Sequence, residues 1–207
     1  LSATLGSAAR IEYLQAAGCH NELPTAPEAS ATPYPAITLG DGTLIAAEPN
    51  DHSSKRVRFE ILPYAFRPEA IIDELLEAVR AQARVIVIMN TVDRAIHLLR
   101  SLESHPEMKS EDLFHCRGVI CPHHGRFSPQ DRVVLDAAVN ERLGPSSPGG
   151  PLIVIGTQTL EQSLDIDADL MITDLAPADI LLQRVGRLHR HRRKRPSGYE
   201  RPRCLVL

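Results

Sequence analysis

The run RVIVIMNTVDRAIHLLRSL, residues 84–102, changes its periodicity once. Val85 to Met89 is an unbroken apolar stretch, so Arg84 to Met89 reads as a strand buried on both faces, whereas from Val92 to Leu102 the apolar positions fall at helical spacing. Asn90-Thr91 lies at the junction. The same alternation extends in both directions. Towards the amino terminus, Arg58 to Leu62 reads as a strand and Pro68 to Ala83 as a helix, its Pro in the first turn and Ile71, Ile72, Leu75, Leu76 and Val79 forming a stripe. Towards the carboxyl terminus, Val119 to Cys121, Leu152 to Ile155, Leu170 to Thr173 and Arg203 to Leu207 read as strands, with helices at Pro129 to Leu143 and Ala178 to Leu188. Strands that alternate with helices imply an α/β layer, a mostly parallel sheet with helices on both faces. In such folds ligands lie outside the carboxyl ends of the strands.

The chain has 207 residues, 43% apolar and 24% charged, as expected for a globular protein. Its longest apolar run, Val85 to Met89, is far short of the roughly 18 residues that a membrane span needs, and no apolar leader opens the chain, so neither a membrane span nor secretion is expected. Cys19, Cys116, Cys121 and Cys204 form no CxxC pair, a poor disulfide framework that suits a reducing, cytoplasmic setting. The net charge of -3 conceals an asymmetry. Residues 183–203 carry +8, the remainder -11. A basic run of this density attracts polyanions, although a solvated charge run would look the same. Upstream, Ser7 to Ala17 has helical spacing, and residues 21–54 hold Pro24, Pro27, Pro33, Pro35 and Pro49 with Gly40-Asp41-Gly42 as a hairpin turn, which reads as a linker with one small hairpin.

Three expected carboxyl-end loops are rich in hydrogen-bonding groups: Asn90-Thr91, Pro122-His123-His124-Gly125-Arg126-Phe127, and Gly156-Thr157-Gln158. Taken singly each resembles a helix cap; together they form a rim suited to a nucleic-acid backbone. In QRVGRLHRH, residues 183–191, an ideal helix would place Gln183, Arg187 and Arg190 within about 60° of one another and Leu181, Val185 and Leu188 opposite. One face would pack. The other would present guanidinium groups that suit phosphoryl oxygens, or else surface carboxylates.

These segments resemble something specific. LSAT (1–4), Asn90-Thr91 after its strand, GTQTLEQSLDID (156–167) and QRVGRLHRH (183–191) are similar, in order, to motifs III, IV, V and VI of superfamily 2 helicases. The forms EQSLDID and QRxGRxHRH, with HHGRF and then Arg132, most resemble the CRISPR-associated helicase-nuclease of type I interference systems, the enzyme recruited by Cascade. The match covers the chain apart from the Pro-rich linker and residues 147–150.

The resemblance implies a RecA-like, P-loop NTPase-type three-layer domain. Residues 1–20 would be the carboxyl end of a first RecA-like domain, 21–56 a linker and 57–207 the second such domain. Ser2 and Thr4 would couple the nucleotide site to strand movement. Arg187 and Arg190 would be the arginine fingers that reach ATP on the preceding domain, with Gln183 and Asp165 as nucleotide-side contacts. Asn90, Thr91, Thr157, Gln158, His124 and Arg126 would meet single-stranded DNA. Glu161 and Gln162 match the pattern without a role that can be chosen. Implied partners are single-stranded DNA, the Cascade surveillance complex, and the preceding RecA-like and HD nuclease domains of the same chain. The sequence contains no GxxxxGK[ST] loop, and no DExx box for magnesium is read in it, so ATP and magnesium would be bound mainly by the preceding domain, and this stretch alone should not hydrolyse ATP. Three other readings stay open on the residues alone. They are another superfamily 2 translocase, a metal-binding module on His115, Cys116, Cys121, His123 and His124, and a non-enzymatic nucleic-acid-binding domain that uses only its basic tail.

Overall fold

In the computed structural model, the described residues are 7–18, 25, 27, 31, 36–39, 43–46, 55–63, 67–161 and 164–207, so Ser2, Thr4, Gln162 and the Gly40-Asp41-Gly42 turn lie outside them. The chain divides into two compact units, Leu1–Lys55 and Arg56–Leu207. The first holds helix α1 (Ser7–Ala16) and a two-stranded antiparallel ribbon, β1 (Ala36–Thr38) with β2 (Leu44–Ala46), paired with Ile37 opposite Ile45.

The second unit runs β3 (Arg58–Ile61), α2 (Ile72–Arg80), β4 (Arg84–Ile88), α3 (Val92–Glu103), β5 (His115–Cys116), β6 (Val119–Ile120), α4 (Pro129–Leu143), β7 (Leu152–Gly156), β8 (Leu170–Thr173), α5 (Ala178–Val185) and β9 (Arg203–Val206). Five strands form one sheet in the order β3-β9-β8-β4-β7, and every pairing is parallel. Alternate residues of its strands feed opposite faces, as the two-residue period of a strand requires. Val85, Val87, Ile153, Ile155, Leu170, Ile172 and Leu205 pack with Leu75 and Val79 of α2 and Leu98 and Leu102 of α3. Ile86, Ile88, Leu152, Val154, Met171, Cys204 and Val206 pack with Leu135, Val139 and Leu143 of α4 and Val185 of α5. The expected three-layer α/β architecture is therefore the one observed.

Three expected elements differ. Val119 to Cys121 is not a strand of the main sheet, because β6 pairs antiparallel with β5 in a separate hairpin, Cys116 opposite Val119. Its two-residue turn, Arg117 (φ 51°) and Gly118 (φ 78°), has the left-handed backbone of a tight hairpin loop, which folds the segment back on itself. The residues flanking it instead run beside the sheet edge, where Phe114 N–H donates to Ile153 O (3.0 Å) and His123 N–H to Ile155 O (2.8 Å). The helix expected over 178–188 stops at Val185, and its first turn lacks a side-chain cap. The segment 68–83 is likewise shorter than expected. Pro68–Ile71 is a 3₁₀ turn, and α2 ends where Gln82 adopts φ 66°.

Candidate functional site at the carboxyl ends of the sheet

β4, β7 and β8 end side by side, so the loops that follow them converge. Gly156 closes β7 where a Cβ would lie 2.4 Å from His123 O and 2.7 Å from a Leu160 methyl; only glycine fits between this loop and its neighbour. The next residue, Thr157, donates its N–H to His123 O (3.0 Å) and is 1% exposed, with a hydroxyl that has no partner among the described residues. Gln158 is exposed at the start of a short 3₁₀ turn. Thr91 is the N-cap of α3, its hydroxyl accepting from Arg94 N–H (3.3 Å).

Beneath this rim lies a network that the sequence reading missed. Arg184, 3% exposed, spans the ends of β4, β7 and β8: it pairs with Glu161 (2.7 Å), donates to the Thr173 hydroxyl and to Asp174 O (2.9 Å), and reaches Asn90 Oδ1 (3.2 Å). Asp174 accepts from Asn90 N–H (2.7 Å) and takes a two-point contact from Arg94 (3.0 and 2.6 Å). Asn90 also donates through Nδ2 to Leu175 O (2.9 Å). Asn90, Gln158, Glu161, Leu175, Pro177 and Arg184 line one cleft of about 370 Å³. Charge is compensated beneath the cleft, and uncharged amides lie at its mouth.

The HHGRF loop splits into a buried and an exposed half. His123 is fully buried between the Thr159 hydroxyl (2.7 Å) and Asp136 (2.7 Å); burial lowers its pKa, against the opposing pull of Asp136. His124 stacks on Phe127 with ring centroids 4.3 Å apart, and burial lowers its pKa also. Arg126 is exposed and pairs with Asp93 at the start of α3 (2.8 Å). Among the described residues no three His, Cys, Asp or Glu side chains are placed to hold a metal ion. The literal string Asp73-Glu74-Leu75-Leu76 is no acidic box, since it forms the first turns of α2 rather than following a strand.

Gln183, Arg187 and Arg190 do not share a helix face, because α5 ends before the two arginines. Gln183 is half-buried on α5. Arg187 lies in the following turn and points inward. Its guanidinium donates to Leu164 O (2.6 Å) and Glu161 O (2.7 Å), Nε is left without a partner among the described residues, and burial with the nearby Arg190 charge lowers its pKa. Past His189, which adopts φ 46°, Arg190 turns outward. Its side chain is 43% exposed and pairs with the exposed Asp165 at 2.6 Å. His191 also reaches Asp165 (2.9 Å), and the hydrogen bonds from His191 and Arg190 hold that carboxyl below the ordinary aspartate range. The structure thus brings Asp165 and Arg190 together in one place and Asn90 and Gln158 in another.

Nor is the basic tail a solvated charge run throughout. Arg193 and Arg195 turn in to the fully buried Asp167 (2.6 and 2.7 Å) and Asp169 (2.9 and 3.1 Å). Burial would raise the Asp167 pKa, but hydrogen bonds from Arg195 and Arg193 outweigh it and hold the carboxyl low. Arg192 and Lys194, between and beside them, are exposed. The alternation Asp165, Asp167, Asp169 was the sequence signal for these partners, since an apolar segment holding acids at every second position needs counter-charges.

The five-stranded parallel sheet with helices on both faces and polar loops gathered at its carboxyl end has the architecture of a RecA-like domain, as in the solved relatives below. The chain belongs to the family described as CRISPR-associated nuclease/helicase Cas3, C-terminal, which matches residues 81–193. The CRISPR-associated nuclease/helicase Cas3 of Streptococcus thermophilus is 35% identical over 84% of this chain, which covers 18% of that protein. Among solved structures, a chain of a CRISPR RNA-guided surveillance complex in a pre-nicking state is similar over 100% of this chain and 27% of its own length, with TM-score 0.73 and 28% identity. T. fusca Cas3 with ATP is similar over 82% of this chain and 21% of its own, with TM-score 0.65 and 27% identity. The chain therefore spans only about a fifth of the length of the curated relatives it matches. Among the described residues no helix is long and apolar enough to cross a membrane.

Proposed function

We propose that this chain supplies the second RecA-like domain (57–207) of a cytoplasmic, ATP-driven DNA helicase, with residues 1–20 ending the first such domain and 21–56 linking the two. An HD nuclease domain elsewhere in the full-length protein would cut invading DNA after recruitment by the RNA-guided surveillance complex. The observation that carries this reading is the separation of two polar surfaces on one domain, the first at the carboxyl ends of β4 and β7 and the second beside the segment that leads into β8. One is the amide-lined cleft of Asn90 and Gln158, and the other is the outward-facing Arg190–Asp165 pair.

In this reading Asn90, Thr91, Gln158, His124 and Arg126 meet the single-stranded DNA backbone, whose phosphates are held by amides, hydroxyls and main-chain N–H groups as well as by charge, while Thr157, buried behind Gln158, supports the loop rather than touching DNA in this conformation. Arg190 is the exposed finger. Its guanidinium has Asp165 as a resting partner and can exchange it for phosphoryl oxygens, which it suits through its planar fork and permanent charge. Arg187, whose Nε has no partner among the described residues, is the inner finger, and Gln183 and Asp165 complete the nucleotide side. These donors fit the phosphates of ATP. The sequence contains no GxxxxGK[ST] loop, so the triphosphate and its magnesium are assigned to the preceding domain, and this stretch alone is expected to be inactive. Ser2 and Thr4 couple the two domains.

The test is steady-state ATPase of the full-length protein with saturating single-stranded DNA. Fingers of this kind contribute on the order of 10³ in rate or more, so Arg190→Ala should lower kcat by about that factor with little change in KM. A near-normal kcat in Arg190→Ala would end the finger assignment.

A further inference from the structure

Arg190 is gripped at both ends. Asp165 holds its guanidinium, and Asp167, two residues on, holds its backbone: Asp167 Oδ1 accepts the N–H of Arg190 at 2.7 Å and that of His191 at 3.2 Å. Ile166, between the two acids, is fully buried in the core. The Asp167 carboxylate is itself inaccessible and saturated. Oδ1 also takes Arg195 Nη2 (2.9 Å), while Oδ2 takes Arg193 Nε (2.6 Å) and Arg195 Nη1 (2.7 Å). Its own N–H is anchored to Leu143 O at the end of α4 (2.9 Å). Two further main-chain bonds strap the turn to the same segment, Ala168 N–H to Arg187 O and His189 N–H to Ala168 O, both 3.0 Å. Between these fixed points His189 is held in the left-handed region, which a residue with a Cβ adopts only when its surroundings impose it.

We infer that Asp167, neutralised by Arg195, is a positioning residue for Arg190. It fixes the backbone of the 190–191 turn so that the guanidinium passes between Asp165 and a phosphoryl group by side-chain rotation alone. This rests on the finger reading above. A carboxylate that receives two consecutive main-chain N–H groups sets the direction in which the following side chain leaves, and a finger misplaced by about 1 Å loses much of its effect on a transition state. Arg195 belongs to the mechanism for a reason the basic tail did not suggest. Without it a buried carboxylate would stand under-compensated and release the turn.

The experiment uses the full-length protein. Asp167→Asn should lower single-stranded-DNA-stimulated kcat by about tenfold or more, with KM for ATP and affinity for single-stranded DNA within about twofold of wild type. In an Arg190→Ala background the same substitution should change kcat little, because a residue acting through another has nothing left to position. A full, multiplicative loss in that background, or unchanged kcat in the single variant, overturns the inference. Should Asp167→Asn fail to fold, Arg195→Gln carries the same two measurements, with Arg195→Lys expected to retain more turnover. Amide exchange provides a readout independent of activity. The Arg190 N–H should exchange slowly in the wild-type protein and much faster in the variant; rapid exchange in the wild type overturns the positioning role, whereas a wild-type protein without DNA-stimulated ATPase but with a protected Arg190 amide overturns only the finger reading.

Discussion

Two arginine–carboxylate networks lie in the same domain and serve opposite ends. In the first, Arg184 and Arg94 tie Glu161, Asp174 and Asn90 together directly beneath an open cleft, and the network presents uncharged groups to it. In the second, Arg193 and Arg195 close on the fully buried Asp167 and Asp169, and Arg190 beside them turns its side chain outward to the exposed Asp165. An arginine in a motif can therefore be the floor of a site, as Arg184 is, and an arginine in a charge run can be a staple. The difference lies in whether the chain supplies a buried acid within reach.

The largest effect that would test this comparison is on stability. Arg184→Ala leaves the buried Glu161 carboxylate without its partner, and removal of one member of a buried pair costs about 3–5 kcal/mol. The substitution should also disorder the Asn90 side of the cleft. Amide-exchange protection in β4 and β7 of the full-length protein should fall accordingly. Protection unchanged from wild type would mean that the cleft floor is held by packing alone.

A smaller effect separates the two kinds of tail arginine. Lys194 is exposed and Arg193 is bound to Asp167 and Asp169, so only Lys194→Ala should reduce the salt dependence of DNA binding, by about one unit of the log–log slope. Arg193→Ala should leave that slope unchanged. A reduced slope in Arg193→Ala would mean that the staple opens onto DNA.

The layered fold was legible because period-two and period-3.6 patterns were strong and rarely interrupted. Continuous apolar strands such as Val85 to Met89 admitted only a sheet covered on both sides. The errors fell where a backbone angle, not a pattern, decides. Arg117-Gly118 makes a hairpin turn without the usual Asn-Gly signature, and α5 ends before Gly186, so a helical wheel drawn to Arg190 grouped residues that the turn separates. The loops of the site were legible as positions, since the fold places ligands at strand ends. Partners were not. Whether Arg187 points to solvent or to the carbonyls of Leu164 and Glu161 depends on a loop path that no local pattern encodes.

The finest distinction lies within one dipeptide of the rim. Thr157 and Gln158 follow the same glycine, but Thr157 is buried with a hydroxyl that has no partner among the described residues, while Gln158 is exposed at the cleft. Replacing the threonine by valine removes an unsatisfied buried polar group at nearly constant volume, so Thr157→Val should not destabilise the domain. Gln158→Ala removes an accessible hydrogen-bonding amide, worth about 0.5–1.5 kcal/mol, or roughly a two- to tenfold loss of affinity for single-stranded DNA. Binding measured by fluorescence anisotropy should therefore weaken more in Gln158→Ala than in Thr157→Val, with the valine variant within about twofold of wild type. An equal loss in both would require the loop after β7 to turn its threonine outward when DNA binds, which would make the buried hydroxyl part of the interface and the closed rim a resting state.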